Sequence, residues 1–187
     1  MSGLTLREVL TQHYAASGLL PDGGRQCATW VIRVGRYEVR FKNFDWRRQA
    51  LTLHDAHHVL TGYTCTLRGE FEMAAWEFAA GRFRRIGATL FCLPLIGIGF
   101  LAVPLRAYAA FERGIRSRSL YAMNCDLRVL DMCVEELRAA VFPPGPVSVP
   151  AHDRIRYAAG VAASLAWLAL PGGVVVALVA ALRPALA

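Results

Sequence analysis

The stretch from residue 51 to residue 77, LTLHDAHHVLTGYTCTLRGEFEMAAWE, carries the residues best equipped for chemistry. His54, Asp55 and His58 fall within about one helical turn, and Glu70 follows twelve residues after His58. Imidazole and carboxylate groups are metal ligands. On a helix, residues i and i+4 share a face, so His54 and His58 can point at one ion. Asp55 lies about 100° around the axis from His54 and about 60° from His58. Glu70 cannot reach them along one straight helix, because twelve residues rise about 18 Å. The segment Thr61-Gly62-Tyr63-Thr64 offers a break, since glycine takes turn conformations without a Cβ clash. A second helix folded back at Gly62 brings Glu70 opposite the imidazoles.

Two histidines and two carboxylates suit Zn²⁺, Fe²⁺ or Mn²⁺, and the spacing does not choose among them. Four protein ligands resemble a closed structural site, although a carboxylate can shift and open a position for water or substrate. Two further residues are candidates for moving protons. Glu77 is i+7 from Glu70 and shares its face; it is fit to hydrogen-bond a ligand histidine, to act as a general base, or simply to be solvated. His57 lies about 60° from His54, on the side away from Asp55. It reads as a donor behind a ligand, a proton carrier or an inert surface residue. The bland alternative for the whole cluster is a capped helix start or a partly buried polar turn.

The elements that must hold these groups are mostly helical. Thr5-Leu6-Arg7-Glu8 fits a capping box ahead of an amphipathic helix over 5–17. Residues 28–34 and 37–42 alternate and are rich in β-branched and aromatic side chains, with Gly35-Arg36 between them, which predicts a two-stranded hairpin. Helices are expected over 50–61 and 65–81, and a basic amphipathic helix over 107–121. A helix over 126–141 is expected to be capped by Asp126 and to place Leu127, Leu130, Val134, Leu137 and Val141 on one side.

The chain has 187 residues, of which 55% are hydrophobic, a high share for a single domain of this size. Two uncharged runs account for the excess, Ile86–Leu105 and Tyr157–Leu182. Either is long enough to cross a bilayer. The first is broken by Pro94, Gly97, Gly99 and Pro104, and reads as a bent span, a re-entrant element or the wall of a greasy cavity. The second is interrupted by Pro171-Gly172-Gly173 and reads as a kinked span or a short membrane hairpin. The expected organisation is a metal-binding domain over 1–142, a proline-rich linker over 143–153, and a C-terminal membrane segment over 154–187. The fold class is mainly α, with the small hairpin near the N-terminus.

Net charge is +7, and Lys42 is the only lysine. The arginines are scattered rather than gathered with aromatics on one element, which argues against a nucleic-acid partner. Several flank the apolar runs, as expected for contact with anionic lipid headgroups. Five cysteines form no C-x-x-C pair and read as reduced thiols. The N-terminus has no charged-then-apolar leader, so no signal peptide is expected. The expected location is the cytoplasmic face of the inner (plasma) membrane.

The pattern H-D-x-x-H-x(11)-E, here His54-Asp55-Ala56-His57-His58 and Glu70, resembles the signature of the coenzyme Q biosynthesis protein numbered four, the Coq four family. The surrounding words LHDAHHVLTGY and RGEFEMAAWEFAAG resemble it too, so residues 50–82 match well. FERGIRSRSLY and DLRVLDMCVEELRAAVF match more loosely. The resemblance implies a helical protein, peripheral to a membrane, that acts in ubiquinone assembly. It implies a divalent metal, usually zinc, held by His54, Asp55, His58 and Glu70. The role implied is oxidative decarboxylation of a prenylated hydroxybenzoate ring, or organisation of the biosynthetic complex. The expected partners are a prenyl-quinone precursor or another isoprenoid lipid, the membrane, and other quinone-biosynthesis proteins. The hairpin and the apolar tail depart from the family pattern.

Rival readings remain. One is a prenyl-lipid-binding scaffold whose metal is structural. Another is a metal-dependent phosphohydrolase drawing on His13 and on Asp126 or Asp131. A third is a membrane protein whose histidines only pack.

Overall fold

The computed structural model describes residues 3–18, 20, 22–34, 36–82, 86–145 and 149–182. Among these, seven α-helices, one 3-10 turn and one hairpin follow the order α1 (Leu6–Ala16), β1 (Thr29–Val34), β2 (Tyr37–Lys42), α2 (Asp45–Thr61), α3 (Leu67–Ala80), α4 (Ile86–Ala102), α5 (Pro104–Ile115), a 3-10 turn (Leu127–Asp131), α6 (Val134–Val141) and α7 (Ala151–Leu182). The mainly helical character and the hairpin agree with the sequence reading; the membrane segment does not.

Local chemistry sets most boundaries. Thr5 and Glu8 form the capping box of α1, each satisfying a backbone N–H of the other. The strands pair antiparallel, Thr29 opposite Lys42 and Val34 opposite Tyr37. Gly35, at the hairpin turn, lies outside the described residues. Gly62 ends α2 at φ +80°, a conformation that suits a residue without Cβ, and its N–H donates to the His58 carbonyl. Thr66 then caps α3 by accepting from the Gly69 N–H.

Residues 126–141 do not form the single helix expected. Met132 and Cys133 are extended, because the chain ahead of α1 pairs with them. Leu6 N–H donates to the Met132 carbonyl at 2.9 Å and Val134 N–H to the Leu4 carbonyl at 3.1 Å. Helix α5 also stops at Ile115, short of the expected 121. The following backbone is claimed by other elements: Arg118 N–H donates to Val141 O and Ser119 N–H to Ala80 O.

The core gathers around α3, which packs against α4 and α5. Trp76 and Phe111 are its largest fully buried apolar side chains, with Met73 also from α3 and Leu6 and Leu53 arriving from α1 and α2. Trp76 donates its indole N–H to Ser117 Oγ at 3.2 Å. At Gly114 a Cβ would collide with the Trp76 carbonyl and the Ala79 methyl, so glycine there allows α5 to approach α3.

The expected membrane segment over 154–187 is overturned: among the described residues, no helix is long and apolar enough to cross a membrane. Helix α4 has 17 residues, about 26 Å against a hydrocarbon core of about 30 Å. Helix α7 opens with His152, Asp153, Arg154 and Arg156 and continues in alanine, valine, leucine and glycine. Tyr157, Val161 and Ser164 form its buried stripe; α7 packs onto α4, and Tyr157 meets Tyr108 and Phe111 of α5. The Ser164 hydroxyl enters the α4 ladder, accepting from Gly97 N–H at 2.8 Å and donating to the Leu93 carbonyl at 2.6 Å. The backbone of α7 continues helically through Pro171, so neither the hairpin nor the interruption expected there is present.

Candidate metal centre

Helix α2 presents His54 and His58 one turn apart, and the reversal at Gly62 brings Glu70 of α3 against both. His54 Nε2 stands 3.2 Å from His58 Nε2 and 3.2 Å from Glu70 Oε2. His58 Nε2 stands 3.3 Å from Glu70 Oε1. Nitrogen and oxygen ligands at 2.0–2.1 Å around a tetrahedral ion are themselves about 3.3 Å apart. These three side chains can hold a metal ion.

Hydrogen bonding behind the ligands points both lone pairs the same way. The Tyr63 carbonyl can only accept, so His58 Nδ1, 2.9 Å away, carries the hydrogen and Nε2 is left as the ligand atom. His54 Nδ1 donates to Glu77 Oε1 at 3.0 Å, which again leaves Nε2 for the ion. Two imidazole lone pairs 3.2 Å apart repel unless a cation, metal or proton, lies between them.

His57 belongs to the scaffolding of this site. It is fully buried, and it accepts the Leu120 backbone N–H at Nε2, 3.0 Å. Nδ1 therefore carries its hydrogen and donates to Glu77 Oε1 at 2.7 Å. Both nitrogens are spent, and burial lowers its pKa, consistent with a neutral ring. Glu77 is 4% exposed. Burial works to raise its carboxyl, but the His54 and His57 imidazoles outweigh this and hold it well below the usual carboxylate range. Glu70 responds in the same way. Burial opposes ionisation, while hydrogen bonds and charge from His54 and His58 bring it down to about 2. For His54, burial opposes the charged form, yet Glu77 and Glu70 raise the imidazolium well above its ordinary value. Without a metal, a proton is the cation of this site.

Asp55, the fourth expected ligand, is not in the three-ligand group. Its Oδ2 accepts from the Tyr14 hydroxyl at 2.9 Å. Burial raises its carboxyl, partly offset by the His54 charge and the Tyr14 hydrogen bond. The residues of the phosphohydrolase alternative do not converge. His13 stacks on His58 at 6.5 Å and meets Cys65 Sγ at 3.1 Å. Asp126 pairs with Arg128 and Asp131 with Arg7 at the surface.

A cavity of about 450 Å³ opens beside the ligands, with His54, Glu70 and Glu77 on one wall. Trp30, Trp46 and Phe78 line it with Cys92, Leu93, Leu95 and Ile96 of α4. Burial pushes the Cys92 thiol up to about 11, so it faces the cavity uncharged. The first apolar run is thus a cavity wall. Sequence reasoning missed Tyr14, the Tyr63 carbonyl and the Leu120 N–H. Tyr14 lies on the same side of α1 as Leu6 and Leu10, which was a signal for burial. The two backbone groups leave no trace in residue types. No protein-family model, no curated protein and no solved structure matches this chain.

Proposed function

We propose that this chain is a metalloprotein of prenyl-quinone biosynthesis, peripheral to a membrane, that takes a prenylated hydroxybenzoate-type ring into the cavity beside His54, His58 and Glu70. The observation that carries this reading is the coincidence of a His/His/Glu ligand set with an apolar cavity on its open side. A precursor with a small polar head and a long isoprenoid tail needs both. Zinc is favoured by the resemblance to the Coq four family, while iron or manganese fits the donors equally well. A bound ion would polarise a phenolic or carboxylate oxygen of the head group.

The protein's own residues do the rest. Glu77 and the Tyr63 carbonyl orient the two imidazoles. His57, anchored by Leu120, holds Glu77 in turn. The aromatic and aliphatic walls exclude water from the ring and tail. Oxidative decarboxylation breaks the bond from ring to carboxyl carbon, releases CO2 and forms a ring C–O bond with oxygen from water. It therefore needs a two-electron oxidant such as dioxygen. Leu101 and Leu105 stand exposed at the α4–α5 joint, next in sequence to Arg106. Such a surface suits peripheral contact with anionic lipid, here at the cytoplasmic face.

Elemental analysis of purified protein should find about one metal per chain, and Glu70→Ala should lose it. Full retention of metal by that variant refutes the ligand assignment. Turnover of a prenylated hydroxybenzoate under air tests the catalytic reading. One observation favours the scaffold alternative: His57 has both nitrogens committed and Glu77 already accepts from two imidazoles, so neither is poised as a base. A co-purifying prenyl lipid with no product formation would select that alternative.

A further inference from the structure

Arg47 lies two turns before His54 on the same side of α2, about 10.5 Å along the axis. Both residues line the cavity. The Arg47 guanidinium lies over the Trp30 ring at 4.1 Å, and its Nη1 donates to Asn43 Oδ1 at 3.0 Å. Asn43 is itself 2% exposed. Its Nδ2 donates to the Cys27 carbonyl at 3.0 Å and to those of Gly24 and Arg25 at 3.4 Å. The guanidinium is therefore braced on its face and at one nitrogen, with its remaining N–H groups unassigned to any protein acceptor among the described residues.

A cation in such a place asks for a counterion. Burial lowers the Arg47 pKa, and Asp55, which acts against that effect, is committed to Tyr14 and makes no ion pair with it among the described residues. The two carboxylates of the wall, Glu70 and Glu77, are engaged by imidazoles. Arg82 adds a second positive group to the lining. The uncommitted charge of the cavity is thus positive, and a half-buried guanidinium in an apolar wall is costly until an anion meets it.

We infer that Arg47 is the carboxylate-binding residue of this cavity, so that its ligand is an aromatic acid bearing an apolar chain rather than a neutral prenyl lipid. The ring and chain rest on the function proposed above; the preference for an anion stands on Arg47 alone. A planar fork matches a carboxylate through two parallel hydrogen bonds, and Trp46 and Phe78, which also line the cavity, offer apolar surface to the attached ring. Held there by its acid group, the ring turns its opposite edge toward His54 and Glu70.

The test measures affinity by calorimetry on the full chain as purified, with its metal content recorded. The probes are 3-geranyl-4-hydroxybenzoate, its methyl ester, and farnesyl monophosphate. Wild type should bind the acid at least about tenfold more tightly than the ester. Arg47→Gln should lose about 10- to 100-fold for the acid and change the ester less than about twofold, while Arg47→Lys recovers part of the loss. Equal losses for acid and ester, or no loss for the acid, overturn the inference, as does a wild type that binds neither. Arg47-dependent binding of the monophosphate tighter than that of the acid overturns the carboxylate assignment. Unchanged melting temperature and metal content in Arg47→Gln keep a folding defect from imitating the effect. A protein that shows the Arg47-dependent preference yet binds no metal sinks the metal reading and leaves this one standing.

Discussion

The segment α2–α3 and the helix pair α4–α7 solve opposite problems. Between α2 and α3, three histidines and two glutamates are packed together, and every imidazole nitrogen has a named partner. Between α4 and α7 the contact is apolar, and the Ser164 hydroxyl is bonded into the α4 ladder. The first region is specified by hydrogen-bond direction, so its chemistry is written in residue types. The second is specified by packing, so residue types alone left a membrane span open for both helices, beside a cavity wall for α4. An apolar run is a statement about what surrounds a helix. Here the surroundings are α3, α5 and α7 rather than lipid.

The largest effect that would break this contrast comes from Glu77→Ala. It leaves the Nδ1–H groups of His54 and His57 without their acceptor in a buried place. A loss of about 3–5 kcal/mol is expected for removing one partner from such a network, together with 10- to 100-fold weaker metal binding. Chemical denaturation and metal competition measure the two effects. A loss under about 1 kcal/mol would mean that the network is not satisfied as described. Glu77→Gln, which can still accept through its amide oxygen, should fall between the variant and wild type.

Ser164→Ala is the matching cut in the other region. It strips the Gly97 N–H and the Leu93 carbonyl of a buried partner at once, for a cost of about 1–3 kcal/mol. Metal affinity should not change, because among the described residues no hydrogen bond or ion pair joins α7 to His54, His58, Glu70, Glu77 or Tyr63. A variant that lost metal in proportion to stability would show that the two regions are one mechanical unit.

Acid–base behaviour separates them further. Glu70 titrates at about 2 in the folded protein, below its ordinary value near 4.3. Its contribution is therefore present above the unfolded value and is lost as pH falls through that window. His54 is raised, so in metal-free protein its contribution is complete below about 6.5 and is lost as pH climbs through the raised value. The metal-free protein should be most stable in mild acid, between those limits. A bound metal replaces the shared proton, so the loss on the alkaline side should vanish in the loaded protein and metal affinity should rise with pH. Thermal melts across pH, with and without metal, decide this. Identical profiles would exclude the His54–His58–Glu70 group as the binding place.

How far the site was legible follows the same division. His54, His58 and Glu70 could be brought together from i, i+4 spacing and one glycine, because helix geometry and a turn were all that was needed. Asp55 belonged to the same motif, and spacing alone could not say that Tyr14, forty-one residues earlier, would take it. The break at Met132–Cys133 was hidden for a related reason: it depends on pairing with Leu4–Leu6, a contact across the length of the domain that no local pattern encodes. The apolar runs divide: a cavity wall was one reading of the first and is what α4 forms, whereas the second was read only as a membrane element. Their composition was read correctly, but burial by protein and burial by lipid leave the same residue types.

The smallest expected change in stability concerns the surface where these regions meet solvent. Leu105 is 86% exposed at the start of α5, so Leu105→Ser should leave the free energy of folding within about 0.5 kcal/mol. If the α4–α5 joint rests on a lipid surface, the same substitution removes inserted apolar area. Co-sedimentation with vesicles containing phosphatidylserine should then fall several-fold, more so when Leu101 is changed with it. Equal co-sedimentation of the double variant and wild type would mean that α4 turns its exposed end to water as well as its body to α7.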